Sequence, residues 1–194
     1  GSSWSALGSG MNNRVEALAA FDDGGGPALY AGGSFTTAGG VAANRIAKWN
    51  GSSWSALGTG VNELVNALSV FDDGGGPALY AGGYFTTAGG VAANLIAKWN
   101  GSSWSALGSG VNSYVNALSV FDDGGGTALY AGGGFTTAGG SAAYHIAKWN
   151  GSSWSALASG MNNGVLALSV FDDGGGPALY AGGSFTTAGG VAAN

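Results

Sequence analysis

The sequence predicts an all-β fold, a β-propeller in which each repeat forms one four-stranded antiparallel blade. Residues 1–50 recur almost unchanged at 51–100 and 101–150, and in shortened form at 151–194. Apolar residues alternate in short runs, as in half-buried strands, and show no sustained helical period. Gly-rich segments separate the runs, as turns do. A period of about 50 residues is typical of stacked units that bury their apolar faces against neighbours.

Each repeat contains four predicted strands, which we name d, a, b and c in chain order. Strand a ends at Asp-Asp-Gly-Gly-Gly, where Asp-Gly and unrestricted φ angles favour a hairpin. Strand b ends at Gly32 and Gly33, which we expect to allow close approach of another chain segment, and a longer loop follows. Strand c turns at Asn50 and Gly51 into strand d of the next copy. In the first copy, strands d, a, b and c are predicted at residues 3–7, 15–21, 28–31 and 45–49.

Four strands in about 50 residues match the size of a propeller blade. We therefore expect residues 1–194 to form a single repeat array, divided at 1–50, 51–100, 101–150 and 151–194. The fourth copy ends before strand c, so we expect the array to be part of a larger or oligomeric propeller. The large apolar residues that recur in every copy are predicted to pack between blades; in the first copy they are Trp4, Leu7, Val15, Leu18, Phe21, Leu29, Tyr30, Phe35, Ile46 and Trp49.

The blade pattern resembles kelch-type repeats. Strand b ends in Leu-Tyr-Ala-Gly-Gly, strand c ends in the aromatic Trp49, and Trp54 is followed three residues later by Leu57. Trp49 and Trp54 are closer together than the usual kelch aromatic pair. The Gly-Gly-Ser-Phe-Thr-Thr-Ala-Gly-Gly loop is more similar to repeats of secreted bacterial β-propeller proteins and fungal cell-cortex marker proteins. The resemblance implies a propeller fold, whereas a shared fold does not specify a function.

The composition disfavours several classes of function. The net charge is -5, and eight of the ten acidic residues lie in the four Phe-Asp-Asp triplets, against only five basic residues. Nucleic acid and anionic membrane surfaces are therefore poor partners. The chain has no cysteine and no apolar run near the roughly 18 residues of a membrane-spanning helix. We expect no disulfide, no membrane insertion and no cofactor.

Neither a metal site nor a catalytic site is expected. Asp22 and Asp23 could offer oxygens to calcium, which takes about six or more oxygen ligands, but the triglycine that follows adds no further side chain. We therefore interpret the carboxylates as hydrogen-bond acceptors within their own turn. His145, the single histidine, replaces Arg45 and Leu95 and has no repeated acidic partner. We expect no catalytic residue, and hence no enzyme.

The copies differ at 13 of their 50 positions, and the least conservative differences fall on one side of the predicted blade. We call this side, formed by the d–a and b–c loops and their flanks, the variable face. The a–b and c–d turns form the constant face, where Thr127 in place of Pro27 is the one difference. One-sided variation favours a binding surface, although backbone constraints in the constant turns would produce the same pattern. The candidate ligand-binding residues are Arg14, Glu16, Arg45, Leu64, Tyr84, Tyr114, Tyr144 and His145.

Two classes of function remain open. In one, the chain is a secreted or cell-surface module whose variable face binds a protein or a glycan, as the mixture of aromatic, Arg and small polar residues suggests. In the other, it is a structural scaffold of recently amplified blades, as the near-identity of the copies suggests. Scarce Lys and Asn-Gly-Ser sequons at Asn50, Asn100 and Asn150 favour an extracellular location. Open strand edges predict further blades of the same chain or a homo-oligomer, such as two chains in a ring of about eight blades.

Overall fold

The structure, a computed structural model, describes residues 3–193. It is all-β, and none of these residues belongs to a helix. Accordingly, no helix of the length and apolarity needed to cross a membrane occurs in this part of the chain. The first strands are β1 (Val15–Asp22), β2 (Pro27–Gly33), β3 (Thr37–Ala38), β4 (Val41–Ala42), β5 (Ile46–Trp49) and β6 (Trp54–Ala56).

The same six-strand series recurs twice, and its first four members occur a further time. The second series is β7 (Val65–Asp72), β8 (Pro77–Gly83), β9 (Thr87–Ala88), β10 (Val91–Ala92), β11 (Ile96–Trp99) and β12 (Trp104–Ala106). The third is β13 (Val115–Asp122), β14 (Thr127–Gly133), β15 (Thr137–Ala138), β16 (Ser141–Ala142), β17 (Ile146–Trp149) and β18 (Trp154–Ala156). The last is β19 (Val165–Asp172), β20 (Pro177–Gly183), β21 (Thr187–Ala188) and β22 (Val191–Ala192).

The long strands form propeller-type blades, which confirms the predicted fold class. Blade 1 is the antiparallel sheet β1-β2-β5-β6, blade 2 is β7-β8-β11-β12, and blade 3 is β13-β14-β17-β18. Blade 4, within the described residues, is the pair β19-β20. The fourth strand of each complete blade comes from the following repeat, because Asn50 and its copies turn the chain back at the repeat boundary. Every complete blade therefore contains strands from two consecutive repeats.

The Gly-Gly pair at the end of β2 is needed for two close approaches. A side chain at Gly33 would overlap the backbone carbonyl oxygen of Arg14, next to the bulge in β1. A side chain at Gly32 would overlap Val65 of the next blade. The equivalent glycines of blades 2 and 3 meet the same obstacles. The expected close approach is thus confirmed, against the blade's own backbone and against its neighbour.

The long loop after β2 is more ordered than the sequence suggested. It contains the two-stranded hairpin β3-β4, and an isolated bridge joins Ala38 to Met11. The turn of this hairpin is Gly39-Gly40, with φ angles of +58° and +82°. Two consecutive positive φ angles match the twist of a two-residue hairpin, which explains the pair of glycines. The strands are only two residues long, so they leave no alternating pattern from which to predict them.

The core lies between consecutive blades. Tyr30, Phe35 and Ile46 of blade 1 are fully buried. Residues of blades 1 and 2 share one apolar cluster, and residues of blades 2 and 3 share a second. The Trp of the recurring Trp-x-x-Leu motif makes a cross-repeat hydrogen bond, since Trp54 Nε1 donates to the backbone carbonyl of Leu7 at 2.9 Å. The Leu of the motif is buried, as at Leu57. Stacking of similar units, rather than one central core, stabilises this fold.

The two ends of the array leave these packing faces open, and there two predictions were wrong. Four residues of the first copy were predicted to be in the core but are exposed: Trp4 (103%), Leu7 (37%), Val15 (39%) and Leu18 (59%). Residues 3–7 were predicted to be a strand, but none is assigned there because no described strand c pairs with them. At the opposite end Phe171 and Tyr180 are 60% and 44% exposed. Each end thus exposes side chains that other copies bury.

Candidate binding face

The two loops of the variable face are hydrogen-bonded to each other in every repeat. Asn12, in the d–a loop, accepts from the backbone N–H groups of Thr36 and Thr37 in the b–c loop, at 2.8 and 3.0 Å. The Asn12 amide donates to the Thr36 hydroxyl at 2.8 Å. Asn62, Asn112 and Asn162 make the same backbone contacts in the other repeats. The loops that carry the variable positions are therefore held in one arrangement throughout.

A strained backbone position lies on this face just before strand c. Arg45, Leu95 and His145 occupy it with φ angles of 63°, 69° and 66°. Side chains are disfavoured in this left-handed region by about 1–2 kcal/mol, which is why Gly usually occupies it. Among residues 3–193, Ala158 is the only other non-Gly residue with positive φ. Backbone geometry alone would favour Gly here, yet three different large side chains are present.

Two of the predicted aromatic residues come together across a blade boundary. Tyr84 and Tyr114 stack with ring centroids 5.0 Å apart and 19° between their planes. A side chain at Gly134 would overlap the Tyr114 ring, and a Cβ at Gly164 would lie 3.8 Å from its hydroxyl. The residues at these variable positions are therefore complementary in size, because Gly134 and Gly164 leave the space that the Tyr114 side chain occupies.

Several of the predicted residues are exposed on the surface. Tyr144 and Tyr84 are 50% and 45% exposed. Arg14 Nε lies 3.4 Å from Glu16 Oε1, and the Arg14 side chain is 78% exposed. An ion pair this exposed contributes little to stability. These side chains are therefore accessible to a ligand, and the Arg14–Glu16 ion pair stabilises the fold only slightly.

Three predicted residues are half-buried at the edges of the loops. They are Arg45, Leu64 and His145. His145 Nδ1 lies 3.3 Å from the carbonyl oxygen of Gly133. Within residues 3–193, no group of three His, Asp or Glu side chains is arranged to hold a metal ion.

Glu16 differs from the other predicted residues because its position lies in the first strand of the blade. At the equivalent position Asn66 donates to Asn116 Oδ1 at 3.1 Å and to the Val115 carbonyl at 3.3 Å. Asn116 in turn donates to the Val165 carbonyl at 3.2 Å. In two copies the residue at this position therefore links consecutive blades by hydrogen bonds, so it contributes to blade packing as well as lying on the variable face.

Shallow clefts open on the variable face between blades, a feature that sequence reasoning missed. One lies between blades 1 and 2 and has a volume of about 330 Å³. Its equivalent between blades 2 and 3 has a volume of about 360 Å³. Arg45 lines the first cleft and Leu95 the second, beside Asn amides, Thr hydroxyls and Gly backbone. About half of the lining residues, such as Asn62 and Thr87, are identical in every copy, so comparison of the repeats could not single those residues out.

The constant face is built differently, from side chains that bond to their own turns. Asp22 Oδ1 accepts hydrogen bonds from the N–H groups of Gly24 and Gly26, each at 2.9 Å. Asn50 Oδ1 accepts from the N–H groups of Ser52 and Ser53 at 3.0 and 2.9 Å. The hydrogen bonding predicted for the Asp-rich turn is therefore confirmed. Each of these turns depends on a particular side chain.

Asp23 extends this constant face into the blade. Its carboxylate accepts from the Tyr30 hydroxyl at 2.7 Å and from Lys48 Nζ at 2.6 Å. Burial raises the pKa of Asp23, but hydrogen bonds from Lys48, Tyr30 and Gly25 outweigh it and hold that pKa below its usual value. Burial, together with the bond to Asp23, raises the pKa of Tyr30. The network joins strands b and c to the a–b turn, and it recurs in blades 2 and 3.

The pKa of the matching carboxylate in blade 3 is also lowered. Hydrogen bonds from Lys148, Tyr130 and Gly125 lower the pKa of Asp123 to about 2. Its side chain is 40% exposed, whereas that of Asp23 is 11% exposed, so solvent screens the blade 3 pair more. We therefore expect the Lys–Asp pairs of blades 1 and 2 to contribute more to stability.

Comparison with known proteins adds no relative: no protein-family model, no curated protein and no solved structure matches the chain. The repeats themselves are thus the available record of which positions vary.

Proposed function

We propose that the chain is a non-catalytic binding module, secreted or displayed at the cell surface, whose variable face recognises a protein or a glycan. We further propose that its blades are of the kelch-like type found in secreted propeller repeats. The observation that carries the proposal is the left-handed position occupied by Arg45, Leu95 and His145. A backbone outlier kept in three copies supports a functional role for the side chains that it carries.

If the repeats varied without any function, a different set of residues would be expected at this position. If the loops were simply free to change, replacements that relieve the backbone would accumulate, and Gly would be the simplest of them. The chain contains 41 glycines, so Gly is used freely elsewhere. Arg, Leu and His at a position that disfavours them support selection for their side chains.

The surroundings also support recognition. Exposed Tyr84 and Tyr144 supply large surfaces with few rotatable bonds, and Arg14 supplies charge. The clefts between blades add amide, hydroxyl and backbone groups that can hydrogen-bond to a ligand, close to Arg45 and Leu95. Side chains and clefts of this kind suit a polar ligand such as a glycan or an exposed protein loop.

The test compares two sets of substitutions on a glycan array and in capture of extracellular proteins. One variant replaces Arg14, Arg45, Tyr84, Tyr114 and Tyr144 by Ser. The matched control replaces Asp22, Asp72, Asp122 and Asp172 by Asn, which keeps an oxygen to accept the turn hydrogen bonds. We expect the first variant to lose the captured ligand and the control to keep it. Loss in the control alone would mean that the constant face binds.

The ends of the array favour a second candidate function, assembly into a larger scaffold. Val65 of blade 2 is fully buried against blade 1, whereas the equivalent Val15 is 39% exposed. At the other end Phe171 is 60% exposed, while Phe71 is 3% exposed. The two open ends are the two halves of one repeated interface, so further blades or a second copy would fit head to tail. Light scattering giving only a monomer of 18.7 kDa at all concentrations would contradict self-assembly of this chain.

A further inference from the structure

The free edge of β20 repeats a pairing surface that other blades use. Among residues 3–193, β20 pairs with β19 alone. In each complete blade the equivalent strand also pairs with a strand c of sequence Ile-Ala-Lys-Trp, always in one antiparallel register. In blade 2, Trp99 lies opposite Leu79 and Ile96 opposite Gly82. β20 thus presents the same backbone edge without the strand that occupies it elsewhere.

An apolar groove of about 400 Å³ borders this edge, between blades 3 and 4. Ile146, Leu157 and Leu179 line it. Their counterparts one repeat earlier belong to a single buried cluster, in which Ala147 and Trp149 of strand c take part. The counterparts are Ile96, Leu107 and Leu129. The groove is therefore the space that two strand c side chains fill in a complete blade.

The groove also has room for an aromatic ring at its far end. A Cβ added to Gly108 would lie 3.8 Å from the Trp149 ring, an ordinary van der Waals distance. Ala158 stands at the equivalent place and lines the adjoining cavity. Its methyl group would therefore touch an incoming Trp without excluding it.

A matching charge lies beside the edge. In the complete blades, Asp23, Asp73 and Asp123 each bind a Lys of strand c. Asp173 accepts from the Gly175 N–H at 3.1 Å and from the Tyr180 hydroxyl at 3.4 Å, and no Lys of the described residues contacts it. Backbone edge, apolar space and carboxylate thus stand in the arrangement that receives strand c in three other blades.

We propose that this edge and groove form a strand-binding site for an extended peptide segment of the type Ile-Ala-Lys-Trp. The segment adds antiparallel to β20, with Ile opposite Gly182 and Trp opposite Leu179. Its Ala and Trp enter the groove, and its Lys binds Asp173. Main-chain hydrogen bonds supply affinity in such strand addition, and alternate side chains supply specificity. A folded second copy is a poorer occupant because its own strands β5, β11 and β17 are already paired on both sides.

The first experiment titrates the 194-residue chain with a synthetic peptide of the sequence of residues 95–101, by isothermal calorimetry. We expect one peptide to bind per chain and to protect the backbone amides of residues 179–182 from hydrogen exchange. Replacing the peptide Trp by Ala should weaken binding by at least about thirtyfold, because the buried ring is the main anchor. A scrambled peptide of the same composition should not bind.

A charge-pair cycle then tests the register. The Asp173→Asn chain and the Lys→Ala peptide should each weaken binding by about fivefold. Combined, they should weaken it no further, because both remove the same contact. Circular dichroism of the Asp173→Asn chain should match the parent.

Four results would overturn the proposal. They are no heat and no protection at a peptide concentration of about 1 mM, equal binding of the scrambled peptide, protection away from β20, or additive effects in the cycle. A dimer of the chain that the peptide dissociates would instead assign this edge to a second copy.

Discussion

The constant and variable faces of the blades are held together by different groups. On the constant face, Asp22, Asp23 and Asn50 use their side chains to bond to the turn or to the neighbouring strand. On the variable face the side chain of the constant Asn12 joins the two loops, but the variable positions Arg14 and Arg45 are held through their backbone groups. The Gly33 N–H donates to the Arg45 carbonyl, and the Ser34 N–H donates to the Arg14 carbonyl, at 2.9 and 3.0 Å. The turns of the constant face therefore require particular side chains, whereas the bonds made at Arg14 and Arg45 on the variable face do not use the side chains of these two residues.

This difference explains where the repeats vary. It also shows that variation alone does not demonstrate ligand binding. Freedom to vary does not require a ligand, since backbone bonds would tolerate any side chain. The left-handed position of Arg45, Leu95 and His145 separates the two cases, because tolerance alone does not explain three bulky residues there. This strained backbone position, more than the one-sided variation, therefore supports binding at the variable face.

Two adjacent glycines offer the largest expected contrast. Gly133→Ala should destabilise the chain by about 3 kcal/mol or more, because the new Cβ would overlap the backbone carbonyl of Tyr114, which cannot move without breaking the blade. Gly134→Ala meets only the Tyr114 ring, which can rotate away. Urea unfolding followed by circular dichroism should separate the two variants clearly. Equal losses would mean that the variable position is as constrained as its neighbour.

The constant face should depend on its charge pairs. Asp73→Asn removes the charge that compensates Lys98, whose side chain is 19% exposed, and should lower the free energy of unfolding by about 1–2 kcal/mol. Asp123→Asn should have a smaller effect, because that carboxylate is 40% exposed. Both values can be measured by urea denaturation at pH 7. A larger loss at Asp123 would contradict the order inferred from exposure.

Acid should weaken the same face. The pKa values of Asp23 and Asp73 are lowered in the folded chain, and that of Asp123 falls to about 2. Carboxylates with lowered pKa values stabilise the fold above their unfolded pKa near 4, and this stabilisation is lost as the pH falls through the folded values. Unfolding measured between pH 5 and 2 should show falling stability. A chain with Asn at all three positions should show a shallower slope.

The smallest effect is expected on the variable face, and its sign is informative. Arg45→Gly and His145→Gly should leave the free energy of unfolding unchanged or raise it by up to about 1 kcal/mol, because Gly relieves the left-handed strain. Thermal unfolding of each variant at pH 7 provides the measurement. A loss above about 1 kcal/mol would show that these side chains serve the fold.

The sequence predicted the blades well because their signals are local and repeated. Gly33 indicated a close approach of backbone segments, because Gly lacks a side chain. Asp22 indicated a turn, because its carboxylate can accept hydrogen bonds from the N–H groups that follow it. The ends were predicted poorly, because Trp4 and Leu18 are the same residue types as their less exposed copies and differ only in having no neighbouring blade among the described residues. Burial in a repeat array depends on the next unit, which a residue type cannot reveal.

The candidate face was predicted in part. Variation drew attention to Tyr84 and Tyr114, but their stacking across a blade boundary depends on spatial proximity of residues 30 positions apart. The left-handed conformation of Arg45 could not be foreseen, because no Gly or Asn marks it in any copy. The clefts were missed because they form between blades and because about half of their lining residues are identical in every repeat. Variation among repeats identifies the variable residues of these clefts and leaves the constant ones, such as Asn62 and Thr87, undetected.

The most direct test of the division between faces is a urea unfolding comparison of two multiple variants. One carries Ser at the variable positions Arg14, Arg45, Tyr84, Tyr114 and Tyr144; the other carries Asn at Asp23, Asp73 and Asp123. We expect the Ser variant to lose no more than about 1.5 kcal/mol, the contribution of one aromatic stack, and the Asn variant to lose more. If the Ser variant is the less stable of the two, the side chains of the variable face stabilise the fold more than the Asp–Lys pairs do, which would contradict the division between the two faces.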